Sequence, residues 1–275
     1  MKENPIGIFD SGLGGLTVLK EIAGLLPYEN TVYLGDTARV PYGNKSKDTI
    51  VRYSFENARF LLRHHIKLLV IACNTASAFA LEEIRSALPI PVIGVIEPGA
   101  KAATAATRTG RVGIIGTEGT IKSGAYCSAI KALAPDVKTF TQACPLFVPL
   151  AEEGWTDNSI AIDTAAAYLA PLKKFGIDTL VLGCTHYPLL KKTIARVMGP
   201  GVKLIDSAEA AAQEVRRTLA ENDIANSQKS APSRRFYVTD SPERFIKVGR
   251  TFFGKELSDA ELAYLEALEY GKEKE

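Results

Sequence analysis

Short apolar runs alternate along this chain with longer stretches in which apolar positions recur three and four residues apart. The short runs lie at 5–9, 31–35, 67–72, 91–95, 111–116, 137–141, 178–183, 203–205 and 235–239. Largely apolar and carrying at most one charge each, they have the character of buried strands. The longer stretches, among them 17–26, 47–64, 76–87, 158–175 and 209–222, carry the helical period. Such alternation predicts parallel sheets covered by helices on both faces. Right-handed crossovers then gather the strand-to-helix loops at one edge of each sheet, where ligands of such folds bind.

The pattern also repeats. Leu69-Val70-Ile71-Ala72-Cys73-Asn74-Thr75 reads against Leu180-Val181-Leu182-Gly183-Cys184-Thr185-His186, with a cysteine at the same place in each. Upstream, Ile6-Gly7-Ile8-Phe9-Asp10-Ser11 parallels Val112-Gly113-Ile114-Ile115-Gly116-Thr117. Downstream, the run ending at Glu97 parallels the run ending at Asp206, and the intervals agree to within a few residues. The expected fold is therefore α/β: two similar doubly wound domains with mostly parallel sheets, related by a pseudo-twofold, with the active site in the cleft between them. The first domain comprises 1–97 plus 207–275 and the second 98–206. The polar segment 222–233 reads as a linker. The tail after it reads as a strand and two helices completing the first domain, and 271–275, dense in charge, is expected to fray.

At 275 residues the chain has room for two cores. A hydrophobic fraction of 46% and a charged fraction of 23% are those of an ordinary globular protein. A formal charge of +2 gives no support for a nucleic-acid or acidic-membrane partner, and no apolar run is long enough to span a bilayer. The residues before the first strand lack the apolar stretch and cleavage site of a signal peptide, so a cytoplasmic protein with reduced cysteines is expected. Cys73, Cys127, Cys144 and Cys184 form no close pair of the kind a zinc site uses, and no metal is expected. Cys127 and Cys144 read as packing residues.

Cys73 and Cys184 read differently. Each falls at the end of a strand, where the backbone N–H groups and dipole of a following helix favour thiolate. One such cysteine would be taken as a core thiol; two at equivalent positions of a duplicated unit point to paired acid–base groups facing one small molecule. Asp10-Ser11-Gly12-Leu13-Gly14-Gly15 is a tight glycine turn opening a helix. It is not a dinucleotide fingerprint, since Thr17 stands where glycine is required, nor a Walker loop. What remains is a set of backbone N–H groups fit for a carboxylate. Asp10 itself is either a helix cap or a group that binds ammonium or orients a thiol. Asp36-Thr37 and Tyr42-Gly43 lie beside the first strand ends. The stretch from Cys144 to Gly154 is too rich in proline for a helix and reads as an apolar loop carrying Glu152 and Glu153 to a pocket. His186, two residues past Cys184, either poises that thiol or binds substrate.

Ile8-Phe9-Asp10-Ser11-Gly12-Leu13-Gly14-Gly15-Leu16-Thr17-Val18, Gly35-Asp36-Thr37-Ala38-Arg39-Val40-Pro41-Tyr42-Gly43, Ala72-Cys73-Asn74-Thr75-Ala76-Ser77 and Gly183-Cys184-Thr185-His186-Tyr187-Pro188 together resemble the bacterial glutamate racemases, as does Cys144-Pro145-Leu146-Phe147-Val148-Pro149-Leu150. The resemblance implies interconversion of L- and D-glutamate without metal, pyridoxal phosphate or other cofactor, supplying D-glutamate for peptidoglycan, in a cytoplasmic homodimer. It implies Cys73 and Cys184 as the two acid–bases, Asp10 assisting Cys73, and Glu152 with His186 assisting Cys184. Substrate-holding groups implied are Asp10, Ser11, Tyr42, Gly43, Asn74, Thr75, Thr117, Thr120, Thr185 and His186. The choice of Glu152 over Glu153 rests on the resemblance alone. Three rivals stand beside it: racemization of aspartate on the same scaffold, an amino-acid-binding cleft without catalysis, and a cysteine hydrolase using Cys184 and His186. The second has no use for paired thiols, and the third leaves Cys73 unexplained.

Overall fold

The computed structural model describes residues 2–228 and 230–266. Two parallel sheets organise it. The first half of the chain supplies β1 (Ile6–Asp10), β2 (Thr31–Gly35), β3 (Leu68–Ile71) and β4 (Val92–Gly94), connected through α1 (Leu16–Leu25), α2 (Lys47–Leu62) and α3 (Asn74–Ala87). After α4 (Ile96–Ala106) come β5 (Arg111–Gly116), α5 (Glu118–Ser123), α6 (Ala125–Leu133), β6 (Lys138–Ala143), α7 (Phe147–Glu152) and α8 (Ser159–Lys174). The remainder is β7 (Thr179–Gly183), α9 (Lys191–Met198), β8 (Lys203–Asp206), α10 (Ser207–Glu221), β9 (Arg234–Val238), α11 (Pro242–Phe252) and β10 (Glu261–Leu262).

The internal repeat is visible in the topology. The four strands of the first half run β2-β1-β3-β4, and those of the second run β6-β5-β7-β8, the same order about a central first strand. All pairings are parallel. β9 and β10 extend the first sheet beyond β2, so the tail rejoins the part of the fold where the chain began. β1, β2, β3, β4 and β7 are buried at every position, as near-continuous Ile, Leu and Val runs between helical layers require.

Register decides what meets at the carboxyl edge. Phe9 pairs with Ile71, so the chain just past β1 and β3 sets Asp10-Ser11 beside Ala72-Cys73. Gly116 pairs with Gly183, which brings Thr117 to the same edge as Cys184-Thr185-His186. Cys73 caps α3, its sulfur accepting from Ala76 N–H at 3.5 Å, and Thr117 caps α5, accepting from Thr120 N–H at 3.3 Å.

The structure corrects two expectations. The proline-rich stretch read as a loop contains α7, because Pro149 falls in its first turn, where the missing N–H has no intrahelical partner to lose. The tail forms β9 and α11, but through residue 266 it adds the short strand β10 in place of a second helix. The segment 271–275, expected to fray, lies outside the described residues. No described helix is long and apolar enough to cross a membrane.

Candidate active site

Both repeat cysteines lie at the carboxyl edges of their sheets, each only 6% exposed, and they are near enough for their charges to interact. Asp10 is near enough to Cys73 for its charge to act on that thiol. Its carboxylate accepts from Gly12 N–H at 2.9 Å and from the Thr185 hydroxyl at 3.5 Å, joining the end of β1 to the loop after β7. Burial raises its pKa, against the opposing pull of His186 and the backbone N–H groups of the glycine turn. Cys73 lies 3.7 Å from the Ser11 hydroxyl.

Position at a helix start favours thiolate, and on that ground a depressed Cys73 was expected; the structure reverses it. Burial first, and then the Asp10 charge, push the Cys73 thiol up to about 12, outweighing the N–H of Ala76 and the Ser11 hydroxyl. Both effects favour the protonated thiol of Cys73. The surroundings of Cys184 are of the opposite sign. His186 Nδ1 lies 3.8 Å from Cys184 Sγ, and His186 Nε2 is 3.1 Å from Glu152 Oε1. Burial would lower the His186 pKa, but Cys184, Glu152 and Asp10 together carry it up to about 10. The imidazolium therefore sets a positive charge against the Cys184 sulfur. The hydrogen bond from His186 holds Glu152 below the ordinary carboxylate range in spite of burial, and Arg244 on α11 adds an ion pair at 3.7 Å.

Thr75, Thr117 and Thr120 form a triangle of hydroxyls, 3.0, 3.1 and 3.2 Å apart, drawn from both halves. Asn74 accepts from the Tyr126 hydroxyl at 2.7 Å, while its buried Nδ2 has no partner. Gly43 packs onto Thr117, leaving no room for a Cβ, which would fall 2.7 Å from the Thr117 Cβ. The side chain of Tyr42 is committed elsewhere. Its hydroxyl donates to Asp36 and accepts from Asn57 at 3.1 Å, so what the Tyr42-Gly43 turn offers a ligand is backbone. A cavity of about 300 Å³ between Pro41, Pro145, Val148 and Pro149 opens onto Gly43 and Thr117.

Cys73, Cys184, Asp10, Ser11, Asn74, Thr75, Thr117, Thr120, Thr185, His186 and Glu152 are thus linked through short polar contacts or adjacent positions at one place, and the Tyr42-Gly43 turn borders it. Glu152, not Glu153, holds the histidine. Cys144 is buried, its thiol pushed up by burial, in keeping with a packing role. Among the described residues no group of three or more His, Cys, Asp or Glu could hold a metal ion. Two residues of the neighbourhood, Tyr126 and Arg244, carried no signal of their own in the sequence, and Gly14 and Thr17 stood out only as parts of the glycine turn. The Thr17 hydroxyl lies 2.9 Å from the carbonyl of Gly14, one helical turn away, and 2.9 Å from that of Thr185, which only the fold brings near.

Residues 16–215 match the family model described as Asp/Glu/Hydantoin racemase. The chain is 58% identical to a glutamate racemase of Geobacter metallireducens over 262 residues, covering 95% of this chain and 97% of that one. Its fold superposes on the crystal structure of the glutamate racemase isoform RacE1 from Bacillus anthracis with a TM-score of 0.92, at 40% identity over 97% of this chain and 98% of the other. A glutamate racemase from Francisella tularensis, solved in complex with D-glutamate, gives a TM-score of 0.90 at 40% identity, with 96% and 98% coverage.

Proposed function

The chain belongs to the Asp/Glu/hydantoin racemase family, and we propose that it interconverts L- and D-glutamate by two-base proton transfer between Cys73 and Cys184. The observation that carries this reading is the pair of buried thiols at equivalent repeat positions, one beside a carboxylate and the other beside an imidazolium. Inverting an α-carbon requires a base on one face and an acid on the other. In the L-to-D direction Cys184 as thiolate takes the α-proton, breaking the Cα–H bond and forming S–H, and the Cys73 thiol returns a proton to the opposite face. In the reverse direction the roles exchange. A Cys73 that keeps its proton is a ready acid for the first direction. Asp10 helps it keep that proton, and the His186 imidazolium, held by Glu152, lies against the Cys184 sulfur. Ser11, Asn74, the three threonines, Thr185 and the Tyr42-Gly43 backbone supply donors for the substrate carboxylates. On this reading 1–97 with 207–275 and 98–206 are the two units that flank the substrate. The protein acts without cofactor as a cytoplasmic homodimer, supplying D-glutamate for peptidoglycan synthesis.

The direct test is loss of optical activity of L-glutamate incubated with pure protein and no added cofactor. An unchanged signal refutes the reading. Aspartate tests the substrate: a diacid shorter by one methylene leaves buried donors unpaired, at about 1–3 kcal/mol each. Its kcat/KM is expected to be at least about tenfold lower than that of glutamate, and equal values would transfer the assignment to the aspartate branch of the family.

The pH profile tests the Glu152–His186 pair. His186, raised from 6.5 to about 10, keeps its proton through neutral pH and loses it as pH rises through the higher value. The stability its partners lend is accordingly complete below the lower value and lost across the same interval. An alkaline limb in kcat/KM near that upper value is expected. Glu152→Gln removes one of the partners that raises His186, so the limb should move to lower pH and kcat/KM should fall about tenfold or more, the worth of one charge-assisted hydrogen bond. A Glu152→Gln profile superimposable on that of the wild type would remove Glu152 from the mechanism.

A further inference from the structure

Tyr126 belongs to none of the motifs, yet it reaches the centre of the site. It sits on α6 with its ring buried between two glycines. A Cβ on Gly99 would come within 3.1 Å of the ring, and one on Gly183, the residue before Cys184, within 3.0 Å. Its hydroxyl donates to Asn74 Oδ1 at 2.7 Å. Asn74 is itself 3% exposed, and its Nδ2 is buried with no acceptor. The amide therefore has its accepting end occupied and its donating end unpaired, on the residue between Cys73 and Thr75. A buried amide donor left unpaired is costly, so its persistence points to an acceptor brought by the ligand.

We propose that Tyr126 is a positioning residue that fixes the orientation of the Asn74 amide, so that Nδ2 is presented to a carboxylate of the substrate. The inference rests on the reading of the protein as a glutamate racemase. An amide has two ends of similar shape and opposite polarity. Turned about its Cβ–Cγ bond, Asn74 would set a carbonyl oxygen against a carboxylate, a repulsion in place of a hydrogen bond. The Tyr126 hydroxyl, as a donor to Oδ1, selects the productive orientation before substrate arrives.

The test is a double-mutant cycle of Tyr126→Phe and Asn74→Ala, with racemization followed by circular dichroism. Phenylalanine keeps the ring between Gly99 and Gly183, so the protein should fold, with a melting temperature lowered only by the loss of the one buried hydrogen bond. KM for glutamate should rise about tenfold or more, with kcat changed less, since a hydrogen bond to the charged substrate is lost. In the Asn74→Ala background the same change should cost nothing further. A Tyr126→Phe protein with wild-type KM, or a penalty that is the same with and without Asn74, overturns the inference. Should Tyr126→Phe fail to fold, Asn74→Asp serves in its place: it keeps an acceptor for the Tyr126 hydroxyl and removes the donor to the substrate. The same rise in KM is then expected, and an unchanged KM overturns the proposal. A wild-type protein that leaves glutamate unracemized would refute the functional reading itself, an outcome distinct from an active wild type whose variants behave alike.

Discussion

Replacing either Cys73 or Cys184 with Ala is expected to lower kcat for glutamate by about a thousandfold or more, the upper range for loss of a general acid–base group. The reason is geometric. A proton taken from one face of the α-carbon must be matched by one delivered to the other, and on the proposed mechanism each face has one thiol. Serine in either place should rescue little, because a hydroxyl is a far weaker acid and its anion is not accessible at neutral pH. The two single variants should look alike in racemization and differ in a half-reaction. β-Chloroglutamate loses its α-proton and chloride as HCl without needing a proton on the opposite face. With Cys73 replaced by Ser, the remaining Cys184 should drive elimination from the L enantiomer. With Cys184 replaced, Cys73 should drive it from the D enantiomer. Folding is not at issue in these variants: both sulfurs are buried at a sheet edge, outside the strand ladders, and serine is nearly isosteric. Variants with the same enantiomer preference, or an Ala variant racemizing at the wild-type rate, would end the two-thiol mechanism.

The asymmetry between the thiols was not legible in the sequence. Both cysteines occupy the same repeat position, and the argument from helix starts treats them alike. The structure separates them through residues far away in the chain. Asp10, from the end of β1, presses its charge on Cys73, while Glu152, from the end of α7, holds His186 protonated next to Cys184. The strands, by contrast, were readable almost residue by residue, because strands buried on both faces are written as continuous apolar runs. The same rule hid β10, a two-residue strand with both positions exposed. Proline content misled at α7 because proline is excluded from helix interiors but not from first turns. Tyr126 was hidden for a different reason. In sequence it is one apolar position on an amphipathic helix, and its hydroxyl acquires meaning only when α6 packs on α4 and so carries it to Asn74 at the start of α3.

Gly14→Ala is the second variant from which a large loss is expected. The backbone at Gly14 is not left-handed; the requirement is one of space. A Cβ there would lie 2.2 Å from Thr185 Oγ1 and 2.4 Å from His186 Nδ1, distances no real methyl group tolerates. Something must move, and Thr185 has little freedom. Its carbonyl is within 2.9 Å of the Thr17 hydroxyl, and its own hydroxyl reaches Asp10. The Thr185 hydroxyl must give all the same, and His186 must shift with it, away from Cys184 at one end of its ring or from Glu152 at the other. A displacement on the order of 1 Å in a proton-transfer assembly costs about a hundredfold in rate, and kcat/KM for glutamate should fall by about that factor. Enantiomers have equal free energies in solution, so kcat/KM must fall equally in both directions and cannot locate the fault. Elimination from β-chloroglutamate can. On the proposed mechanism, reaction of the L enantiomer at Cys184 should suffer much more than that of the D enantiomer at Cys73. Gly24→Ala supplies the control, since the same methyl at that position in α1 meets nothing within 4 Å. There the exchange should leave activity intact and stabilise the helix by about 0.5–1 kcal/mol. If Gly14→Ala matched the control in activity, or lost elimination equally from both enantiomers, the histidine would not be held in place by the absence of a side chain at position 14.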